Sequence, residues 1–247
     1  MVLALDLVAD CIVTVVHASV SIQLLPGIPD LHSLAVGSGY LGAALGMGMV
    51  IPQIARTVRN RAMPGVSALS WSLTAISCST WLLYGIRARE LPQIPGNVVI
   101  VSGAVLIALL VPSVTAPRTR AARLAALLAV VGAVAVVAPP TLLGLLAFAI
   151  GLVSSWPQLI TSLTRPAHVP SAVSISAWLM RCASQAAWLF YALVLHDLAV
   201  TVAATVTLTS ALVILAVELR RRPATTAAGR TGAPAAMALA TAGDSRV

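Results

Sequence analysis

The chain has 247 residues, 59% of them hydrophobic and 9% charged, with a mean hydropathy of +0.99. A soluble domain carries about 25% charged residues, so this much apolar surface needs lipid as its solvent, and a soluble globule is excluded. The net charge is +8 and all fifteen basic residues are arginine; most of them fall in short joints between apolar stretches, which points to membrane orientation and away from nucleic acid.

Residues 1–33 come first and read as a peripheral segment or as sequence upstream of the real start, with an extra N-terminal helix as the alternative. Asp6, Asp10 and His17 would share one helical face, and no Arg or Lys precedes Arg56, which does not suit a secretory signal. A helix crosses the hydrocarbon with about 20 apolar residues, and that rule predicts seven spans, at about 35–57, 67–86, 92–113, 122–138, 141–163, 172–194 and 198–219. Breakers or charge mark the joints: Pro64-Gly65, Pro92, Pro117, Pro139-Pro140, Pro166 with Pro170, and His196-Asp197. The tail 220–247, rich in Ala, Thr, Gly and Pro, reads as disordered.

Arginine placement orients the spans. Arg56, Arg59, Arg61, Arg118, Arg120, Arg123, Arg165, Arg220, Arg221 and Arg222 fall on one side, and Arg87 and Arg89, with Glu90 beside them, on the other. By the positive-inside bias the C-terminus is cytoplasmic.

An internal repeat lies over this plan. Ile51-Pro52-Gln53 returns as Trp156-Pro157-Gln158, Trp71 as Trp178, and Trp81-Leu82-Leu83-Tyr84 as Trp188-Leu189-Phe190-Tyr191; the Pro-Gln pairs are 105 residues apart and the aromatic matches 107. Each copy holds three spans, an odd number, and the single span between them restores the orientation. The copies are therefore expected to be parallel, related by an axis along the membrane normal. The organisation expected is a first three-helix repeat over 34–114, a linker helix over 115–139 and a second repeat over 140–219.

These paired motifs, together with Gly65-Val66-Ser67-Ala68-Leu69-Ser70-Trp71, Gly85 and Val173-Ser174-Ile175-Ser176, resemble the SWEET and PQ-loop transporter family from about Ser38 to Leu219. The resemblance implies an all-α membrane protein in a three-plus-one-plus-three plan, here a bacterial two-repeat member. It also implies a carrier in the plasma membrane for a small solute such as a sugar, an amino acid or cystine. Some single-repeat relatives work as dimers, so a homo-oligomer is an open arrangement.

Particular residues could do the work. Proline inside a helix removes a backbone hydrogen bond, so Pro52 and Pro157, near the ends of their helices, are hinge or gate candidates, with Gln53 and Gln158 placed to cap the freed backbone. Ser70, Thr74, Ser77 and Trp81 fall on one helical face, matched in the second copy by Ala177, Arg181, Ser184 and Trp188. A hydroxyl one turn from an indole suits a hydroxylated solute, and Asn97 sits where the family's sugar carriers place a cavity asparagine; the matching position holds Ala204, next to Thr205. The substrate-binding candidates are therefore Ser77, Trp81, Asn97, Arg181, Ser184 and Trp188.

Arg181 lies mid-span, where an arginine costs at least about 2.5–3.5 kcal/mol. It either meets an anionic solute or snorkels to the cytoplasmic side and caps carbonyls near Pro157. With no acid within the spans away from their ends, facilitated transport is the simpler expectation than proton coupling. Gly39, Gly42, Gly46 and Gly48 make a small face for close helix packing. Cys11, Cys78 and Cys182 are unpatterned, and no metal, cofactor or catalytic grouping is expected. The readings that follow are a sugar carrier, a carrier of an amino acid or other small carboxylate, and a non-transporting receptor or assembly partner.

Overall fold

A computed structural model describes residues 31–59, 67–113, 115–164 and 174–221. They form seven helices: α1 (Leu31–Arg59), α2 (Ala68–Ala88), α3 (Gln93–Leu110), α4 (Pro117–Val137), α5 (Pro140–Thr164), α6 (Ile175–Leu195) and α7 (Leu198–Arg221). Residues 1–30 of the segment read as peripheral or spurious, the joints carrying Pro64, Arg165 and Pro170, and most of the tail lie outside the described residues; residues 31–33 of that segment begin α1.

Local chemistry sets the boundaries. Ser67 and Ser174 are N-caps of α2 and α6, their hydroxyls accepting from Ser70 N at 3.3 Å and Ala177 N at 3.4 Å. The same two helices end at Arg89 and His196, both left-handed, with φ of 61° and 58°. Several span ends shift from expectation, and at two of them proline is the cause. α3 stops at Leu110 because Val111 precedes Pro112 and turns extended, and α4 starts at Pro117 because proline is preorganised for a first helical turn. Arginines that mark orientation also close helix ends. Arg120 donates to the carbonyls of Ala108, Leu109 and Val111 at 2.7–3.2 Å, and Arg87 to those of Ala135 and Ala138, supplying partners that a last turn lacks.

Among the described residues five helices, α1, α3, α4, α6 and α7, are long and apolar enough to cross a membrane, and Pro140–Ser154 of α5 is a shorter apolar stretch. α2 is less apolar because Ser72, Thr74 and Thr80 donate back to carbonyls one turn earlier, at 2.8–2.9 Å, and Ser77 donates to another helix. Polar groups satisfied in this way are tolerable at membrane depth. The exterior is apolar, with Val136 and Val137 about four-fifths exposed.

Packing is symmetric under exchange of the repeats. α3 lies against both α1 and α2, as α7 lies against α5 and α6; between repeats α1 packs on α6, and α2 on α5. Glycines register these contacts. Gly39, Gly42 and Gly46 face Tyr191, Trp188 and Ser184 in turn, so α1 and α6 are antiparallel; Gly144 and Gly151 face Tyr84 and Ser77, so α5 and α2 are antiparallel too. Gly96 meets Ala43 and Gly103 meets Val50, so α3 runs with α1. It follows that α1 and α5 run the same way and the repeats are parallel. The glycine face of α1 is indeed a packing surface, against α6. The linker α4 packs on α2 and α3.

Candidate functional site

The six helices of the two repeats surround a cavity of about 960 Å³. Ser77, Trp81, Asn97, Arg181, Ser184 and Trp188 all line it. They converge because the +107 repeat offset places Trp81 opposite Trp188 and Ser77 opposite Ser184 about the shared axis. The Ser77 hydroxyl donates to Ala147 O and the Ser184 hydroxyl to Gly42 O, each at 2.8 Å. Their protons are thus committed across the repeat interface, and each hydroxyl can offer the cavity only its oxygen as an acceptor. Asn97 Nδ2 donates to Gln93 O at 2.7 Å and Gln93 Oε1 at 3.2 Å.

Several lining residues had no place among the sequence candidates. Gln93, in a third Pro-Gln pair outside the repeat pattern, sits one helical turn from Asn97; that spacing was the available signal. Gln185, one turn from Arg181, was legible in the same way. Thr74 Oγ1 and Ser154 Oγ are 3.3 Å apart across α2 and α5, and only the tertiary fold pairs them. Pro52 lies inside α1 with an exposed side chain, and the helix continues to Arg59. Pro157 lies inside α5; its side chain, and those of Gln53 and Gln158, fall outside what the structure describes.

Beyond the indoles the cavity is stopped. Trp81 stands edge-on to Tyr84 with ring centroids 5.4 Å apart, and Trp188 to Tyr191 at 5.5 Å, both at 88°. Tyr84 and Tyr191 are only 4% and 1% exposed. Each phenol donates to an acid in the turn of the opposite repeat, Tyr84 to Asp197 and Tyr191 to Glu90. Glu90 and Asp197 are themselves 107 residues apart, so two equivalent tyrosine–carboxylate latches bind the repeats at one end. Toward the other end the lining runs past Thr74 and Ser154 to Trp71, Ser70 and the exposed Ser67.

Symmetry breaks in the polar lining. By the 107-residue offset Thr74 corresponds to Arg181 and Cys78 to Gln185, and the Gln93–Asn97 pair is matched by Val200 and Ala204. Among the described residues Arg181 is the one charged residue in the lining. Its guanidinium carbon lies 5.6 Å from the Trp178 ring centroid, a cation–π distance.

Residues 34–94 match the PQ loop repeat family. The fold is similar to a eukaryotic SWEET transporter, with a TM-score of 0.66, 13% identity, and coverage of 77% of this chain and 98% of that one. Residues 34–94 thus carry a PQ loop repeat, within a fold similar to that of a SWEET transporter. No curated protein matches its sequence. The family match ends at Ile94, so the second PQ-loop copy rests on the repeated residues and on the symmetric packing described above.

At the latched end, burial first and the Asp197 charge second push the Glu90 pKa up. Opening that end would expose Glu90 and return it toward about 4.3. The closed form therefore keeps its proton to higher pH than the open form. Acidification through that window favours closure, and raising pH through the elevated pKa removes the stabilisation. The expected result is that lowering pH equally on both sides slows thiol labelling of Cys78 from the tyrosine end, beyond the slowing seen in Glu90→Gln. Identical pH profiles in the two proteins would remove Glu90 as the titrating group.

Proposed function

We propose that this PQ-loop chain is a multi-pass membrane transporter for a small hydroxylated solute of the sugar class, working by alternating access between its two repeats. The observation that carries the reading is the cavity on the repeat axis, lined by both repeats and closed at one end by latches that join them. Rocking one three-helix unit against the other would break both latches together and expose the cavity on that side. Indole faces at Trp81 and Trp188 suit the apolar face of a sugar ring, and the amides of Gln93, Asn97 and Gln185 suit its hydroxyls. The SWEET fold supports the same reading, that of a carrier and not an enzyme.

The arginine distribution supports a cytoplasmic position for the end holding Arg59, Arg118, Arg120, Arg123 and Arg220, and with it the C-terminus. The arrangement of the structure is then inward-facing, in a cell membrane. Since no acid lines the cavity among the described residues, the reading is transport down the solute gradient. Purified protein in liposomes is expected to equilibrate labelled small polyols or sugars, with saturation, faster than empty liposomes, and a pH gradient is expected to drive no accumulation. Uptake indistinguishable from empty liposomes across sugars, sugar acids and amino acids would remove the carrier reading in favour of a receptor.

A further inference from the structure

Resting on that carrier reading, we infer that the solute is a monoanion, a small hydroxylated carboxylate such as a sugar acid, and that Arg181 is the residue that pairs with its carboxylate.

Arg181 is the seventh residue of α6, one turn from Ser184 and Gln185, and it lines the cavity. Its guanidinium makes no hydrogen bond or ion pair with any described residue; the Trp178 ring is its recorded neighbour. A guanidinium presents five N–H donors in a planar fork. At membrane depth such a group faces a bundle interior or water and finds a partner, and an unpaired intramembrane charge marks a solute pathway.

The scaffold does not demand this charge. The symmetry-equivalent position is Thr74, whose hydroxyl is satisfied by Ser70 O at 2.9 Å and by Ser154. One repeat therefore closes its interface with a hydroxyl where the other projects a cation into the cavity. Among the described residues no carbonyl accepts from Arg181, and α6 is unbroken around it. The contrast with Arg87 and Arg120, both seated on helix-end carbonyls, shows what a structural arginine looks like in this chain.

The rest of the lining limits the anion. With a single cation, a monoanion is neutralised and a phosphate dianion is not. No described lining residue is acidic, so an ammonium group meets no carboxylate among them, which disfavours amino acids. Trp188 lies seven residues on, a rise of about 10 Å, within which a five- or six-carbon hydroxy acid fits. Its carboxylate would take the guanidinium fork, in the bidentate geometry that arginine favours. Its hydroxyl-bearing carbons would reach the indoles and the Gln93–Asn97 amides. The polar asymmetry of the two repeats then orients the solute.

The test is counterflow by the full-length protein in liposomes with labelled gluconate, glucose and glycine, at potentials set by potassium and valinomycin. Gluconate is expected to be carried in preference to glucose and glycine, and its entry to accelerate when the interior is positive. Arg181→Gln is expected to lower gluconate flux on the order of 10- to 100-fold, the loss of a charged hydrogen bond, with Arg181→Lys retaining part of it. The potential dependence is read on the unmodified protein, so it stands even if the glutamine variant does not fold. Glucose carried at every potential while gluconate neither moves nor competes would overturn the anion site and leave the carrier reading intact. No flux of any of the three would take both away.

Discussion

Replacing Gly144 with valine is expected to lower the melting temperature of the purified protein by roughly 6–12 °C, corresponding to about 3 kcal/mol of overpacking at about 2–4 °C per kcal/mol. Gly144 is where three helices meet. A Cβ built there would lie 2.5 Å from the Ala199 Cβ of α7 and 3.3 Å from the Tyr84 ring of α2. Ala199 Cβ sits directly on its backbone, so relief requires α7 to move as a unit, and Tyr84 is held by its latch to Asp197. A bulky residue there would wedge apart the contact on which one latch rests. Gly132 of α4 is the internal comparison, since nothing lies within 4 Å of a Cβ placed on it. There an alanine should stabilise the helix by about 0.5–1 kcal/mol through lost backbone entropy alone. Thermal melts that moved both variants in the same direction would show that the crossing at Gly144 is not the tight contact described.

The double variant Tyr84→Phe with Tyr191→Phe is expected to unlatch the closed end. Each change keeps the ring, and so its packing against the neighbouring tryptophan, but removes a hydrogen bond to a carboxylate, worth about 1.5–3 kcal/mol. Each latch therefore contributes on the order of 10- to 100-fold to closure. Because both latches join the same two repeats, their losses should combine. Cys78 lines the cavity and serves as the reporter. With Cys11 and Cys182 replaced by alanine, labelling of Cys78 by a membrane-impermeant reagent from the tyrosine end should rise at least 10-fold in the double variant, the lower bound for one latch. The single variants should fall between it and the parent. Labelling unchanged in the double variant would mean that the latches do not hold that end shut.

Much of this architecture was legible in the residues alone because membrane physics is severe. A segment in lipid must satisfy its backbone internally, so apolar length predicts helices, and seven spans become seven helices. Their ends shift by a few residues where Pro112 and Pro117 act, since proline governs its neighbour's backbone more strongly than hydropathy does. The duplicated Pro-Gln and Trp-Leu-aromatic-Tyr motifs marked the two repeats, and the odd span count required the linker. Helical spacing also put Ser77, Trp81, Asn97, Arg181, Ser184 and Trp188 on inward faces.

What those residues touch was decided only by the tertiary structure. One-dimensional periodicity says which face a side chain shares, not which helix lies opposite. Hence the Ser77 and Ser184 hydroxyls, read as solute ligands, donate to Ala147 O and Gly42 O of the facing repeat. The Tyr84–Asp197 and Tyr191–Glu90 latches span 113 and 101 residues of chain, separations at which no local pattern speaks. They exist because two parallel repeats, packed first helix against second, bring each repeat's second-helix tyrosine to the other repeat's turn.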